Sequence, residues 1–302
     1  MTNMTADRSP KKSRDERQMK LQNDKWVGIC DAPRYEAWRR EIREAYCDLE
    51  FDPEPHRYTL HGRELPPVTE VCKQFQEPFD EEAMALHTYS KYHNDPRSRY
   101  YRASVEDIKR MWQQGSEAAC RQGTAAHEFG EACFWFMTGH EEEIPADFRS
   151  RLVDGCLQPQ NALEEAIVTF WNDMPRAFVP ILCETRVCSE DYGYAGTFDL
   201  LCYYDAPGPQ QSGFVIFDYK TNRELFGKCG NRHLLPPFQG LLDQDIALYG
   251  IQLSLYQLAL QPVIPNVRAR RIVWLRPTGL YEKHTLPDHT QTLAAWLGTS
   301  NP

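Results

Sequence analysis

The sequence lacks any run of about 18 apolar residues, the length from which a membrane-spanning helix would be inferred. It also lacks a Gly-x-x-x-x-Gly-Lys-Ser/Thr segment, the loop that cradles nucleotide phosphates in P-loop proteins. The first residues are polar and mixed in charge, without the apolar stretch of a secretory signal, and Asp7, Asp15 and Glu16 are untypical of a mitochondrial presequence. We therefore expect no membrane association, no export and no fused P-loop motor.

The ten cysteines form no metal-binding or redox pattern. No Cys-x-x-Cys pair occurs, and no spacing of Cys and His is typical of a zinc site. Several cysteines lie inside apolar runs, where a free thiol behaves as a small buried hydrophobic group. We expect no structural disulfides and hence an intracellular, reducing compartment, the cytoplasm or the nucleus. The basic residues 10–14 are either a nuclear address or part of a solvated tail.

The chain is acidic. Among its 302 residues, 43 Asp and Glu outnumber 34 Lys and Arg, and the formal net charge is -9. A protein that coats nucleic acid non-specifically needs a basic surface, so this class is excluded. The hydrophobic fraction of 41% supports a core. We expect a single domain over residues 26–302, preceded by a disordered polar tail at residues 1–25.

The hydrophobic pattern predicts an α/β fold, with a central mixed β-sheet flanked by helices. A mainly helical extension is expected over residues 26–103 and the core over residues 104–302. Helices are predicted at residues 26–50, 68–75, 80–93, 104–137, 148–171, 241–261 and 290–297. A hairpin is predicted at residues 57–65, and further strands at residues 179–188, 194–201, 214–220, 272–275 and 280–286. Asp80 is the expected N-cap of one helix, and Ser104 with Asp107 forms the expected capping box of another.

One stretch, residues 214–222, combines a buried strand with charge. Four apolar residues lead into Asp218, Tyr219 and Lys220. A short bulky apolar run is typical of a strand buried on both faces, and side chains alternate along a strand, so Asp218 and Lys220 point to the same side. Burying either charge alone is costly. The pair is therefore either a surface ion pair at a strand end or part of a metal site, with the lysine beside a water or a phosphate.

A second strand-like run, residues 194–201, carries another acid, Asp199. Its Gly196 allows the backbone to bend or to approach a neighbouring element closely. The turn-rich residues 205–213 predict that the two runs pair as a hairpin, which would bring Asp199 near Asp218. Two converging carboxylates repel each other unless a hard cation lies between them, and this favours the metal site.

His127 lies inside the long predicted helix, among small and apolar neighbours. A lone histidine in such a place is usually a core residue, but the acids downstream favour a metal ligand. Glu131, one turn later on the same face, is expected to orient the imidazole. Residues 127–131 also approach the His-Glu-x-x-His pattern of zinc proteases. Glu131 stands where the second histidine would be, so that class is excluded.

Four segments follow one another along the chain: GTAAH at 123–127, GTFD at 196–199, DYK at 218–220 and QLSLY at 252–256. In this order they resemble the PD-(D/E)XK nuclease superfamily, and specifically its RecB-like exonuclease branch. That branch is marked by a helical His, a Gly-x-x-Asp strand, an Asp-x-Lys strand and a Gln-x-x-x-Tyr helix. The resemblance covers roughly residues 120–260 and implies a restriction-endonuclease-like core.

The resemblance also implies a site that cleaves phosphodiester bonds with Mg²⁺ or Mn²⁺. The implied metal ligands are His127, Asp199, Asp218 and the carbonyl of Tyr219. The other implied catalytic residues are Lys220, Glu184, Gln252 and Tyr256. Lys220 would orient or activate the attacking water and offset the charge on the phosphate. Glu184 is equally well explained as the surface partner of Arg186 on the same strand.

The implied activity is that of a metal-dependent deoxyribonuclease, an exonuclease acting on single strands or duplex ends in DNA repair, recombination or replication. A non-catalytic nucleic-acid-binding module on the same fold is the alternative. Some RecB-like relatives carry an iron–sulfur cluster on cysteines that follow the Gln-x-x-x-Tyr helix. This chain has no cysteine after Cys229, so we expect no cluster. Since no motor is fused, a helicase or recombination partner would be a separate chain.

Residues 94–102 interleave three arginines (97, 99 and 102) with two tyrosines (100 and 101). Arginine suits phosphate, and tyrosine suits the stacking of bases. The segment is therefore either a nucleic-acid contact or an ordinary polar loop.

Overall fold

The computed structural model describes residue 21 and residues 25–227, 230–264 and 266–300. A five-stranded mixed sheet with helices packed against it confirms the predicted α/β class. No helix within the described ranges is long and apolar enough to cross a membrane. The predicted tail lies outside the described residues except at positions 21 and 25. At these two positions the chain packs on the domain, since Leu21 is buried and Lys25 Nζ donates to the Met174 carbonyl at 2.9 Å.

The helices and strands have the following bounds. The α-helices are α1 (Pro33–Ala45), α2 (Val68–Lys73), α3 (Glu81–Tyr92), α4 (Val105–Thr138), α5 (Ala146–Arg149), α6 (Ala162–Asp173), α7 (Asp245–Leu260) and α8 (Thr290–Ser300). The strands are β1 (Leu49–Asp52), β2 (Arg57–Leu60), β3 (Arg63–Leu65), β4 (Leu152–Val153), β5 (Cys156–Leu157), β6 (Phe178–Ser189), β7 (Tyr194–Tyr204), β8 (Gly213–Lys220), β9 (Val267–Leu275) and β10 (Tyr281–Leu286).

The central sheet has the strand order β10-β9-β8-β7-β6. Neighbouring strands are antiparallel except for β8 and β9, which are parallel and are joined through α7. A parallel pair needs such a crossover, because its strands begin at the same edge of the sheet. The predicted edge strand is confirmed as β10. The predicted hairpin at residues 57–65 is confirmed as β2 and β3, to which β1 adds a third strand.

Two helix predictions are wrong in extent. The helix predicted over residues 26–50 is limited to α1, and the one predicted over residues 148–171 is replaced by α5, the hairpin β4–β5 and α6. Asp154 and Gly155 both have positive φ, 51° and 66°, which is the backbone of a tight hairpin turn. This Asp-Gly turn signal overrides the helical spacing of the apolar residues. After it, the side chain of Asn161 accepts hydrogen bonds from the first turn of α6.

Helix α4 starts at the predicted capping box. The Ser104 hydroxyl accepts from the Asp107 amide, and the Asp107 carboxylate accepts from the Ser104 amide, both at 3.1 Å. Beyond residue 125 the helix packs into the core and buries Phe129 and Phe136. No residue of its middle segment, residues 113–125, is buried. The two halves of this helix therefore lie in different surroundings.

Candidate metal centre

Strands β7 and β8 separate at the level of Asp199. Their antiparallel register ends with Leu200 opposite Phe217. Beyond this pair, the Tyr219 amide donates to Asp199 Oδ2 at 2.5 Å, so a side chain takes the place of the next strand carbonyl. The charge of Asp199 also acts on Asp218. The predicted hairpin is confirmed, and it brings the two carboxylates together at the fork between the strands.

Three candidate ligand atoms converge on this fork. His127 Nδ1 lies 3.2 Å from Asp199 Oδ1 and 3.7 Å from Glu184 Oε1. All three ligand atoms lie within 4.8 Å of one another, close to the spacing of ligands around one ion with bonds of about 2.0–2.6 Å. Glu184 has a positive φ of 40°, which breaks the regular alternation of β6. Glu184 therefore joins the cluster instead of pairing with Arg186.

Asp218 and Lys220 form a buried pair, so the surface ion pair considered from the sequence is excluded. The Asp218 side chain is 2% exposed and that of Lys220 is 13% exposed, and Lys220 Nζ lies 2.5 Å from Asp218 Oδ2. Lys220 Nζ also lies 4.4 Å from the ring centre of Tyr249. Asp218 Oδ2 therefore faces the ammonium of Lys220 inside the protein.

The cluster retains protons more strongly than isolated groups would. Burial, reinforced by the charge of Asp199, raises the pKa of Asp218 to about 6, although Lys220 opposes the shift. Burial likewise raises the pKa of Glu184 to about 7. For His127, burial favours the neutral ring, but the charges and hydrogen bonds of Asp199 and Glu184 prevail and raise its pKa. A cation bound here would displace these protons.

Gln252 and Tyr256 support the site from α7 without touching its carboxylates. Gln252 Nε2 donates to the Tyr256 hydroxyl at 3.0 Å, and both side chains are buried. A Cβ atom on Gly196 would lie 2.7 Å from Tyr256 Cε1. The close approach predicted at Gly196 is therefore confirmed, because only a glycine lets this ring lie against β7.

The sequence analysis missed Tyr249, whose ring lies beneath the Lys220 ammonium. Its hydroxyl donates to Asn222 Oδ1 at 2.6 Å, and Asn222 Nδ2 donates to Asp245 Oδ2 at 2.7 Å. This chain of hydrogen bonds holds the ring in place. Tyr249 precedes Gln252 by three positions on α7, so helical spacing extended one turn towards the N-terminus would have identified it.

Gly130 and Glu131, which follow His127 on α4, both contact aromatic residues. A Cβ atom on Gly130 would lie 2.7 Å from Cε2 of Tyr219, so the glycine allows α4 to lie against that ring. The expectation that Glu131 orients His127 is wrong. Glu131 Oε1 instead accepts from Trp135 Nε1 at 3.3 Å, one turn further along α4.

A cleft of about 360 Å³ opens beside Glu184, between α1, α4 and β6. Arg43 and Arg186 lie on its walls, together with the aromatic rings of Tyr46 and Trp135. Both arginines are exposed, and within the described ranges neither forms an ion pair with a carboxylate. Glu131 and Glu184 lie on the same walls, so the cleft places two positive charges beside two negative ones.

The structure brings His127, Asp199 and Glu184 into one cluster and places Asp218 and Lys220 next to it. Carboxylate oxygens with one imidazole form a donor set that suits Mg²⁺ or Mn²⁺. Tyr219 reaches the cluster through its amide, and the use of its carbonyl as a ligand stays a prediction. Comparisons with models of protein families and with curated proteins found no match for this chain.

Proposed function

We propose that this chain is a divalent-metal-dependent nuclease with a restriction-endonuclease-like core, which hydrolyses DNA phosphodiester bonds as an exonuclease. The observation that carries this proposal is the buried Asp218–Lys220 pair at the strand fork, next to the cluster of His127, Asp199 and Glu184. Buried charges of this kind are costly and concentrate where chemistry requires them. The order of the four motifs along the chain supports the same assignment.

The metal would be held by Asp199, His127 and Glu184, with the Asp218 carboxylate as a further ligand. The fit rests on the three converging ligand atoms and on the burial of Asp218 beside them. When bound, a divalent cation polarises the phosphate and lowers the pKa of a coordinated water. A bound cation would offset the burial and the charge of Asp199 that raise the pKa values of Asp218 and Glu184.

Lys220 would act as a fixed positive charge and not as a base. Burial favours its neutral form, but the charge of Asp218 prevails and raises its pKa, so the amine stays protonated at neutral pH. A protonated amine donates hydrogen bonds and accepts none. In this position it would orient the attacking water and offset the negative charge that develops on the phosphate. The Tyr249 ring on its other side would hold the ammonium in place.

The cleft beside Glu184 would receive the DNA strand. The guanidinium groups of Arg43 and Arg186 on its walls would contact phosphates next to the scissile one. The half-buried rings of Trp135 and Tyr46 line the same walls. Through these local positive charges, a protein with a negative net charge would contact DNA.

The test is the incubation of end-labelled single- and double-stranded DNA with the protein in Mg²⁺, Mn²⁺ or EDTA. We expect shortening from strand ends in either metal, none in EDTA, and none with the Lys220→Ala variant. The control is Lys73→Ala, which removes an exposed lysine at the end of α2 and should leave cleavage unchanged. Cleavage in EDTA, or full activity of Lys220→Ala, would contradict the proposal. DNA binding without cleavage in any metal would favour the non-catalytic module.

A further inference from the structure

Residues 79–112 form a small cap at the N-terminal end of α4. The cap consists of α3, the loop at residues 93–104 and the first turns of α4. Lys109 and Glu82 form an ion pair, and the rings of Phe79 and Trp112 lie 6.3 Å apart, so α3 is held against α4. Residues 113–125 of α4, none of them buried, connect the cap to the core. The cap is thus held away from the core by a length of exposed helix.

The cap loop has a defined conformation. The Trp112 indole donates to the Tyr100 hydroxyl at 2.9 Å, and the amide of Arg102 donates to the His93 carbonyl at 2.9 Å. Arg102 itself has a positive φ of 57°, a backbone conformation that is uncommon for a residue with a side chain. Such conformations are retained where the surrounding structure enforces them, and they are enriched at functional sites.

The positive charge of the cap lies in its loop, whereas the two helices on either side carry acids that balance it. Lys91, Arg97, Arg99 and Arg102 are all exposed, and the only acid between residues 91 and 104 is Asp95. Asp95 pairs with Arg97. Arg99 and Arg102 lie over the rings of Tyr100 and Tyr101, and neither forms an ion pair within the part of the chain that the structure describes.

The helix sets the distance between this surface and the candidate metal centre. An α-helix rises about 1.5 Å per residue, so Val105 at the cap lies about 33 Å along the axis from His127 at the fork. Base pairs of a duplex are spaced about 3.4 Å apart. The separation therefore corresponds to about ten base pairs, or one turn of a duplex.

We propose that the basic cap surface (Lys91, Arg97, Arg99 and Arg102) contacts the phosphate backbone of a DNA substrate about ten base pairs from the bond that is cleaved. The proposal rests on the nuclease function for the position of the cleaved bond. It predicts a contact that depends on substrate length. A duplex shorter than about ten base pairs, seated in the metal centre, does not reach the cap.

The test compares duplexes of 20 and 6 base pairs, labelled with a fluorophore, in binding titrations at several NaCl concentrations with Mg²⁺. The Lys220→Ala variant serves as the background, because it should bind without cleaving. Each phosphate contact contributes about 0.9 to the slope of log K against log salt. Adding Arg99→Ala and Arg102→Ala should weaken binding of the long duplex and reduce its slope by about 1.8, and should leave the short duplex unchanged.

Two further variants serve as controls. Arg97→Ala with Arg99→Ala removes charge while keeping the strained Arg102, and should reproduce the loss for the long duplex. Arg40→Ala with Arg57→Ala removes two arginines that form ion pairs with Glu44 and Glu64, and should change neither duplex. An equal loss for both lengths would overturn the proposal, and so would no loss for either.

The failure of this inference is distinguishable from the failure of the proposed function. A length-dependent loss of binding, in a protein that cleaves no DNA in any metal, would uphold the cap contact and refute the nuclease. Metal-dependent cleavage together with unchanged binding of both duplexes would uphold the nuclease and refute the cap contact.

Discussion

The two halves of α4 show how one helix serves two environments. From Ala126 onwards, small and aromatic residues are buried against β8 and α6, and Gly130 lets the helix lie against Tyr219. Residues 113–125 bury none of their side chains and end at the cap. His127 lies at the junction. The buried half lies beside charges that have little contact with water, whereas the charges of the exposed half lie in water.

The difference in exposure to water determines how strongly a charge acts on its neighbours and on the stability of the protein. Near the fork, water is scarce, so the field of each carboxylate changes the protonation of its neighbours. On the exposed half, the same kinds of charge are screened, and surface ion pairs there contribute about 0–1 kcal/mol. Matched substitutions in the two regions should therefore have unequal effects.

The largest effect is expected from neutralising an acid at the fork. Asp218→Asn keeps the shape of the side chain but removes the charge that faces Lys220 and the metal. We expect metal-dependent cleavage to fall at least about 10²–10³-fold, the loss typical of one preorganised electrostatic contact. The measurement is the initial rate on end-labelled DNA in saturating Mg²⁺.

The matched control is Glu117→Gln on the exposed half of α4, which should leave the rate unchanged. Equal losses in the two variants would contradict the contrast between buried charges at the fork and exposed charges on α4. Normal circular dichroism of Asp218→Asn would attribute its loss to chemistry instead of unfolding.

The next largest effect concerns packing. Gly130→Ala would place a methyl group 2.7 Å from the Tyr219 ring, which is buried and packs edge-on against Phe170. Because that ring has little room to move, we expect the free energy of unfolding to fall by about 1–3 kcal/mol. Urea denaturation would measure the change. An unchanged midpoint would mean that α4 does not depend on this close approach.

A third prediction concerns pH. The pKa of Asp218 in the folded state, about 6, lies above the ordinary 3.8, and that of Glu184, about 7, lies above 4.5. Between these values the folded state holds protons that the unfolded state has lost, so both groups lower the stability as pH rises. The pKa of His127 is also raised, so its stabilising contribution is complete below 6.5 and is lost as pH rises through the folded-state value.

All three groups act in the same direction, so the metal-free protein should lose stability through this cluster as pH rises from about 4 past 7. Since Mn²⁺ displaces their protons, its apparent affinity should increase with pH by about tenfold per unit for each proton displaced. Thermal melts at pH 6, 7 and 8, with Mn²⁺ or EDTA, would show this as a widening difference in Tm. A constant difference would mean that Mn²⁺ binds elsewhere.

The smallest effect is expected on the exposed half of α4. A Cβ atom on Gly115 would meet no atom within 4 Å. Alanine favours a helix over glycine, so Gly115→Ala should raise the free energy of unfolding by about 0.5–1 kcal/mol. Urea denaturation beside Gly130→Ala would give changes of opposite sign. Changes of the same sign would contradict the contrast between the two halves.

The sequence predicted the elements whose signals are local. The capping box at Ser104, the hairpin turn at Gly62 and the buried run before Asp218 each depend on neighbouring residues, and each is confirmed. The Asp199–Asp218 convergence was also predictable, because a strand–turn–strand pattern determines which residues face each other.

The remaining features depend on contacts between distant segments. Glu184 reaches His127 through a positive φ in the middle of β6, which no local pattern signals. Glu131 was expected at the imidazole from helical spacing alone, and it contacts Trp135 instead. Helical spacing places Tyr249 on the Gln252 face of α7, but its position beneath Lys220 depends on how α7 packs on the sheet. Such contacts emerge only when the elements are assembled.

The most direct test of the central claim is to locate a bound metal. Crystals grown with Mn²⁺ would be measured near the manganese absorption edge, and an anomalous difference map would show the ion. We predict a peak at the fork of β7 and β8, within bonding distance of Asp199 and of His127 or Asp218. The peak should be absent from crystals of the Asp199→Asn variant. A peak elsewhere, with none at the fork of the unmodified protein, would contradict the account.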